Sequence, residues 1–372
     1  MGVVVQKYGG SSVTDVARLF QVADRIVETV RSGHQVVVTV SAMGNTTSEL
    51  IALARSVSQR PGRRELDLLV SVGERVSMTL LAMAIMDRGV PAASFTGSQS
   101  GIITDERHIA ARVVEVRPHR IERALAEGKV AIVAGFQGVS RTGEVTTLGR
   151  GGTDATAVVL AAALGAEYCE ICSDVDGVYT ADPRIVPAAR RLDTLPLDGA
   201  VTLSQLGARV LQARALEYAQ KHNITLRANA TRASPGKGTV LPPGPPPDTI
   251  VGVTADTRLA RYRLPDLSAL PDSIAGAATA WWSTPSGIDL LLSTQNLHDD
   301  TGLPGTWAHL GPVALVSVVG RSVVTDPAVT RRAVQALDTV DRWWASGATW
   351  SALVPVEQAA DAQRRLHAAL IP

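Results

Sequence analysis

Three stretches of this chain run from apolar β-formers into a turn of small or polar residues and then into a helix, and that repetition restricts the possible folds more than any other feature. Val3 to Gln6 is a strand that enters Lys7, Tyr8, Gly9 and Gly10, after which Val16, Leu19, Phe20, Ala23, Ile26, Val27 and Val30 recur at helical spacing. QVVVTVSAMGNTTSEL repeats the plan with a strand at Val36 to Val40, a turn from Ser41 to Ser48, and a helix. VAIVAGFQGVSRTGEVTTLGRGGTDATA supplies another strand, a hairpin around Arg141 to Gly143, and a glycine-rich turn into an alanine-rich helix. Strands alternating with helices predict a mostly parallel sheet covered on both faces, with ligands at the carboxyl ends of the strands.

The turn from Thr147 to Ala157 carries three glycines and then Thr153 and Asp154 where a helix N-cap is expected. Free amides at such a helix start favour negative charge, although a capped strand-to-helix turn with no ligand reads the same way. Only four of the 36 basic residues are lysine, so Lys7 beside a glycine turn stands out, and G-x-x-x-x-G-K-[ST] is absent. Glu74 and Arg75 follow Gly73 in an apolar helix pair, and Glu74 sits between Val72 and Val76 among residues that read as buried. A solvated charged turn reads the same way, but a carboxylate among buried neighbours would need a partner, and a substrate amino group is one candidate. A further strand, AEYCEICSDVDG, ends in Ser173 and Asp174. Its Cys169 and Cys172, the only cysteines, have C-x-x-C spacing but lie on a buried strand with no second pair, and are expected in the core. LSQLGARVLQARALEYAQKHNITLRAN reads as a long amphipathic helix and a last strand.

With 45% hydrophobic and 19% charged residues, 372 positions suit two or three globular domains. A net charge of +1 gives no reason to expect nucleic acid or an anionic membrane as partner. No apolar run reaches the roughly 20 residues of a membrane span, the longest candidate being Ala155 to Leu164. The start MGVVVQKYGG lacks the order of a signal peptide and Gln6 breaks the myristoylation pattern, so a cytoplasmic protein is expected. Five of the six residues from Pro242 to Pro247 are proline, a stiff linker. All six Trp lie beyond it, in two weak copies of one β-α-β plan, Ile250 to Ser293 and Val313 to Val354 with a closing helix to Leu370.

Taken together, KYGGSSV (Lys7 to Val13), VSAMGNTT (Val40 to Thr47), GERVS (Gly73 to Ser77), SFTGSQSGI (Ser94 to Ile102), AGFQG (Ala134 to Gly138), TTLGRGGTDATA and SDVDGVYTADPRIV (Ser173 to Val186) resemble the aspartate kinase family of the amino-acid-kinase fold, in family order over the first 240 or so residues. The resemblance implies an α/β fold, a mostly parallel sheet sandwiched by helices, followed by α+β ferredoxin-like repeats of the ACT type. It divides the chain into a catalytic domain at 1–241, a proline-rich linker at 242–248 and a divergent tandem regulatory or dimerisation domain at 249–372.

The activity implied is ATP- and Mg²⁺-dependent phosphorylation of the side-chain carboxylate of L-aspartate, with a homo-oligomer, a dimer through the C-terminal domain, as the expected assembly. By resemblance Lys7 stabilises the transferring phosphoryl group, with Gly9, Gly10 and Ser11 around the phosphates. Arg150 holds the substrate's α-carboxylate and Glu74 its ammonium, while Ser41, Thr47, Phe136, Thr153 and Asp154 complete the pocket, Asp154 orienting the substrate. Ser173, Asp174, Tyr179 and Arg184 frame the nucleotide. Arg209 stands where the family has a lysine, after Ala208, which keeps the charge and changes the geometry. No residues are assigned to a metal.

The family's Asp-x-Pro-Gly effector turns correspond to SALPDSIAGAA (Ser268 to Ala278) and VVTDPAVTR (Val323 to Arg331), where Asp272 follows Pro271 and Ala328 follows Pro327. Loss of the glycine argues against an intact effector site, so feedback inhibition by lysine or threonine is expected to be weakened or absent. Two other readings remain open from sequence: a kinase for a different amino-acid carboxylate in a specialised pathway, and a non-catalytic amino-acid-binding subunit.

Overall fold

The computed structural model describes residues 2–371 apart from 209–210, 234–236, 272–273, 275–276, 295–302, 304–305 and 338–339. Two compact units form, one from residues 1–178, 191–201 and 210–245, the other from 179–190, 202–209 and 246–372.

In the first unit the strands β1 (Val3–Tyr8), β2 (Gln35–Val40), β3 (Ala92–Phe95), β6 (Val130–Ala134), β9 (Tyr168–Ser173), β10 (Leu226–Ala230) and β11 (Thr239–Leu241) make a sheet of order β11-β10-β9-β1-β2-β6-β3. All neighbours are parallel except β10 and β11. Valines and alanines fill these strands on both faces because helices cover both. Val4, Val36, Val38 and Ile132 pack with Leu19, Ile26, Leu81 and Ile85 in one core. A second sheet, in the order β5-β4-β7-β8, uses β4 (Ile102–Thr104), β5 (Val113–Val116), β7 (Gln137–Ser140) and β8 (Val145–Thr147). The hairpin expected around Arg141 to Gly143 joins β7 to β8, closed by Ser140 N to Glu144 O at 2.8 Å.

The helices of this unit are α1 (Val16–Arg31), α2 (Thr46–Val57), α3 (Arg63–Val70), α4 (Val72–Met86), α5 (His119–Ala126) and α6 (Gly152–Ala163). Asp15 caps α1, accepting from Arg18 N at 2.9 Å. The Arg63–Met86 stretch is broken at Ser71. Gly73 lies inside α4, where an added Cβ would stand 2.7 Å from the Ala42 side chain. Within this stretch an 18-residue window of mean hydropathy 1.6 is apolar enough for a membrane span by length and composition alone, and 56% of it is buried inside the fold, as in a core helix.

A buried polar group ties three strands to α1. Glu170 on β9 accepts from Gln6 Nε2 at 3.0 Å, Arg25 Nη2 at 2.8 Å and Asn229 Nδ2 at 3.1 Å. Cys169 and Cys172 are free and buried as expected, and burial pushes both thiols up, so neither is a thiolate at neutral pH.

The expected long helix near residues 203–221 is two. Gly207, with φ +111°, ends the first, and a new helix, Ala213–Lys221, starts after Gln212. A chain leaving αR geometry cannot continue the hydrogen-bond ladder.

The second unit holds a six-stranded antiparallel sheet, order β13-β14-β12-β15-β17-β16, from β12 (Gly252–Leu264), β13 (Ala278–Thr284), β14 (Gly287–Ser293), β15 (Ala308–Val319), β16 (Arg342–Ser346) and β17 (Thr349–Val354). Each half is a long strand followed by a hairpin, and β12 and β15 pair at the centre. Each half thus has one strand more than the β-α-β plan expected from sequence, and the expected helix of the first copy falls partly on residues outside the described ones. Helices Pro327–Gln335 and Ala359–Leu370 cover one face, over Val316, Val318, Trp350 and Val354.

Candidate active site

A cavity of about 310 Å³ opens in the first unit, lined by residues from β1, the turn after β2, α4, the turn after β6 and the start of α6. Lys7 lies near the end of β1 and Asp154 in the first turn of α6, and Nζ stands 2.6 Å from Oδ1 with both side chains about nine-tenths buried. Two opposite charges so placed compensate each other's lost hydration. The N-cap of α6 is Gly151 and not Thr153 or Asp154. Its φ of +74° suits glycine, and an added Cβ would meet the Gln212 side chain at 2.7 Å. Thr153 is freed to accept from Ser41 Oγ at 2.9 Å, and Ser77 Oγ donates to Ser41 O at 2.7 Å.

Glu74 is 3% exposed, and its burial pushes the carboxyl up to about 7, while the Ala42 N–H, donating to Oε1 at 3.2 Å, works in the other direction. Its other oxygen, Oε2, is buried without a hydrogen-bond partner. The reason given from sequence inverts: Val72 and Val76 are 44% and 45% exposed. Residues two apart on a helix face opposite ways, so exposed flanking valines accompany an inward Glu74. Phe136, with φ +67°, is held in this unfavourable conformation by Thr156 Oγ1, which accepts its N–H at 3.1 Å.

Of the residues expected at the site, Lys7, Gly10, Ser41, Thr47, Glu74, Phe136, Arg150, Thr153 and Asp154 line this cavity. Arg150 is exposed, in the turn before α6. Gly9 borders the Lys7 ammonium, where an added Cβ would come within 3.2 Å of Nζ. Ser11, Ser173 and Asp174 are outside the lining, and Arg209 lies outside the described residues. Tyr179 and Arg184 belong to the second compact unit, where Arg184 Nη2 pairs with Asp182 at 2.7 Å. Gln212 was missed and lines the cavity. The glycine that breaks the helix ahead of it was the available signal.

The cavity wall thus presents two cations and two carboxylates. Glu74 with its bare oxygen can take an ammonium, and Arg150 can take a carboxylate, bidentate where both oxygens reach the guanidinium. Lys7 and the amides at the start of α6 can take phosphate oxygens. Among the described residues no three His, Cys, Asp or Glu side chains gather into a metal cage.

Residues 2–227 match the model of the amino acid kinase family. The chain is 42% identical over 374 residues to the aspartokinase of Corynebacterium glutamicum, covering 92% of this chain and 88% of that one. It is 38% identical over 399 residues to the aspartokinase of Thermus thermophilus, covering 99% and 98%. Among solved structures, aspartokinase III of Escherichia coli in complex with aspartate and ADP superposes over the full length of both chains with TM-score 0.87 at 24% identity. The aspartate kinase of Synechocystis matches with TM-score 0.60 at 33% identity, over 99% of this chain and 69% of that one. Sequence relatives that span nearly the whole chain leave one assignment: this chain belongs to the aspartokinase family of amino acid kinases.

Proposed function

We infer that the chain transfers the γ-phosphoryl group of ATP to the side-chain carboxylate of L-aspartate, giving 4-phospho-L-aspartate and ADP. The observation that carries the reading is the cavity in which the Lys7–Asp154 pair, the bare oxygen of Glu74 and Arg150 occur together. A carboxylate with an ordinary pKa of about 3.9 is already ionised at neutral pH, so the acceptor needs no general base. The barrier is the approach of one anion to another, and positioning with charge neutralisation lowers it. Lys7 spreads its charge over the phosphoryl oxygens, Arg150 and Glu74 hold the two ends of the amino acid, and Asp154 fixes the Lys7 ammonium and orients the acceptor.

Mg²⁺ fits this wall as a nucleotide-borne ion. The nucleotide phosphates would carry it, beside the Asp154 carboxylate whose Oδ1 is paired with Lys7, and the ion would supply neutralisation of phosphate charge. We also assign catalysis to residues 1–241, the linker to 242–248, and dimerisation to 249–372, in a cytoplasmic enzyme that draws on cellular ATP and aspartate. The deciding experiment traps the acyl phosphate as a hydroxamate with ATP, Mg²⁺ and a panel of amino acids. Aspartate-dependent hydroxamate is expected, and preference for glutamate or an N-blocked acid, or no product with any acceptor, sinks the assignment.

A further inference from the structure

Asp67, in the middle of α3, is completely buried and lies outside the cavity lining, yet it is bonded to the segments that shape that lining. Thr147 Oγ1 donates to its Oδ1 at 2.6 Å, Ile109 N lies 3.1 Å from both carboxylate oxygens, and His108 Nδ1 faces Oδ2 at 2.7 Å. A carboxylate so buried is stable only with such partners, so the partners are also held to it. Thr147 closes β8, and the next residues are the turn Leu148, Gly149, Arg150 and Gly151. Ile109 takes φ +75°, a conformation that a β-branched side chain adopts only when its surroundings enforce it. Its carbonyl presses on the same turn: an added Cβ at Gly149 would stand 3.0 Å from Ile109 O. Ala111 N donates to Thr147 O at 2.9 Å, and Arg214 Nη1 donates to Leu148 O at 2.9 Å from another element. The Arg150 side chain is exposed while the backbone on either side of it is clamped, and Asp67 is the charged centre of the clamp.

We propose that Asp67 is a positioning residue for the acceptor's α-carboxylate: through Thr147 and Ile109 it sets the turn that presents Arg150 to the cavity. This rests on the reading of Arg150 as the carboxylate ligand. A preset turn leaves less freedom to be lost when the amino acid binds, so the effect falls on aspartate affinity and not on ATP.

The test compares Asp67→Asn, Thr147→Val, Thr147→Ser and Arg150→Ala in steady-state kinetics and in amide exchange of the ligand-free protein. Expected are a rise of at least tenfold in KM for aspartate in Asp67→Asn and Thr147→Val, KM for ATP and kcat within threefold of the parent, and faster exchange at Leu148 to Gly151 with α4 still protected. Thr147→Ser, which keeps the hydroxyl, stays within twofold. The proposal is overturned if Asp67→Asn and Thr147→Val leave KM for aspartate within twofold, or if kcat and both KM values worsen together with protection lost throughout the unit. Arg150→Ala separates the two levels. If it leaves KM for aspartate unchanged, the reading of Arg150 falls and takes the proposal with it. If it raises that KM while Asp67→Asn does not, only the proposal falls.

Discussion

The Lys7 ammonium and the Asp154 carboxylate meet at 2.6 Å, joining the end of the first strand to the first turn of α6. The pair draws together the two glycine turns that carry the strongest sequence signal. It also holds the Lys7 ammonium in one place in the ligand-free protein, which is the preorganisation that electrostatic catalysis requires.

Removing that cation exposes its share of the rate. Lys7→Ala is expected to lower kcat at least a hundredfold, about 2.7 kcal/mol of transition-state stabilisation. Lys7→Arg restores charge but not the compact three-donor ammonium, and is expected to recover less than a tenth of the parent rate. Hydroxamate formation under saturating ATP and aspartate measures both, and a Lys7→Ala enzyme with most of its activity removes Lys7 from the mechanism.

Glu74 makes the ligand-free protein pH-sensitive. Burial raises its folded-state pKa from 4.5 to about 7, so the folded form binds the proton more tightly than the unfolded form does. The stability this gives is fully present below about pH 4.5 and is lost as pH rises through about 7. The full loss corresponds to roughly 3 kcal/mol as an order of magnitude. Glu74→Gln is therefore expected to be more stable than the parent at pH 8 and no more stable at pH 4.5, by urea unfolding, while failing to bind aspartate. Parallel stability curves across that range would show that the buried carboxyl does not titrate in this way.

The Arg25–Glu170 pair, 5% and 2% exposed, stands on the sheet face opposite Lys7. Arg25→Met leaves Glu170 as a buried, partly uncompensated charge and is expected to cost about 3–5 kcal/mol. Pairing it with Glu170→Gln recovers part of that loss. A single substitution costing less than about 1 kcal/mol, the range of exposed pairs, would contradict the burial-based argument.

Feedback control is expected to be weak. At the second of the two altered turns, Asp326 caps helix Pro327–Gln335 and its Oδ1 takes the Ala328 amide at 2.8 Å, so that amide is already used within the fold. At the first turn, the residue after the proline, Asp272, lies outside the described residues. Millimolar lysine or threonine, alone or together, should leave the hydroxamate rate within twofold, and sedimentation should give a dimer that residues 1–241 alone do not form. Strong inhibition by either amino acid, or a monomeric full chain, counts against the assignment of 249–372.

Much of this was legible in the chain itself. Buried valine strands at Val3–Tyr8 and Gln35–Val40 with helices between them dictate a parallel sheet, because only flanking helices can cover both faces of such strands. Lys7 among few lysines, and glycines before an apolar helix, mark one wall of the cavity. The proline run and the shift in tryptophan content announce a second unit of repeated plan.

Other features depended on which elements meet. Glu74 reads correctly as buried for the wrong reason, since the direction of one helix face is set by Ala42 packing on Gly73 and not by the valines beside it. Gln212 lines the cavity from just ahead of a helix that sequence periodicity runs together with the one before it, and Asp67 gains its partners from a hydroxyl and an amide that lie far away in sequence. Periodicity and turn chemistry are local properties and can be read from neighbours in the chain. Which carboxylate loses its water, and which distant donor compensates it, follows from sheet order and packing, and those were decided by the tertiary structure alone.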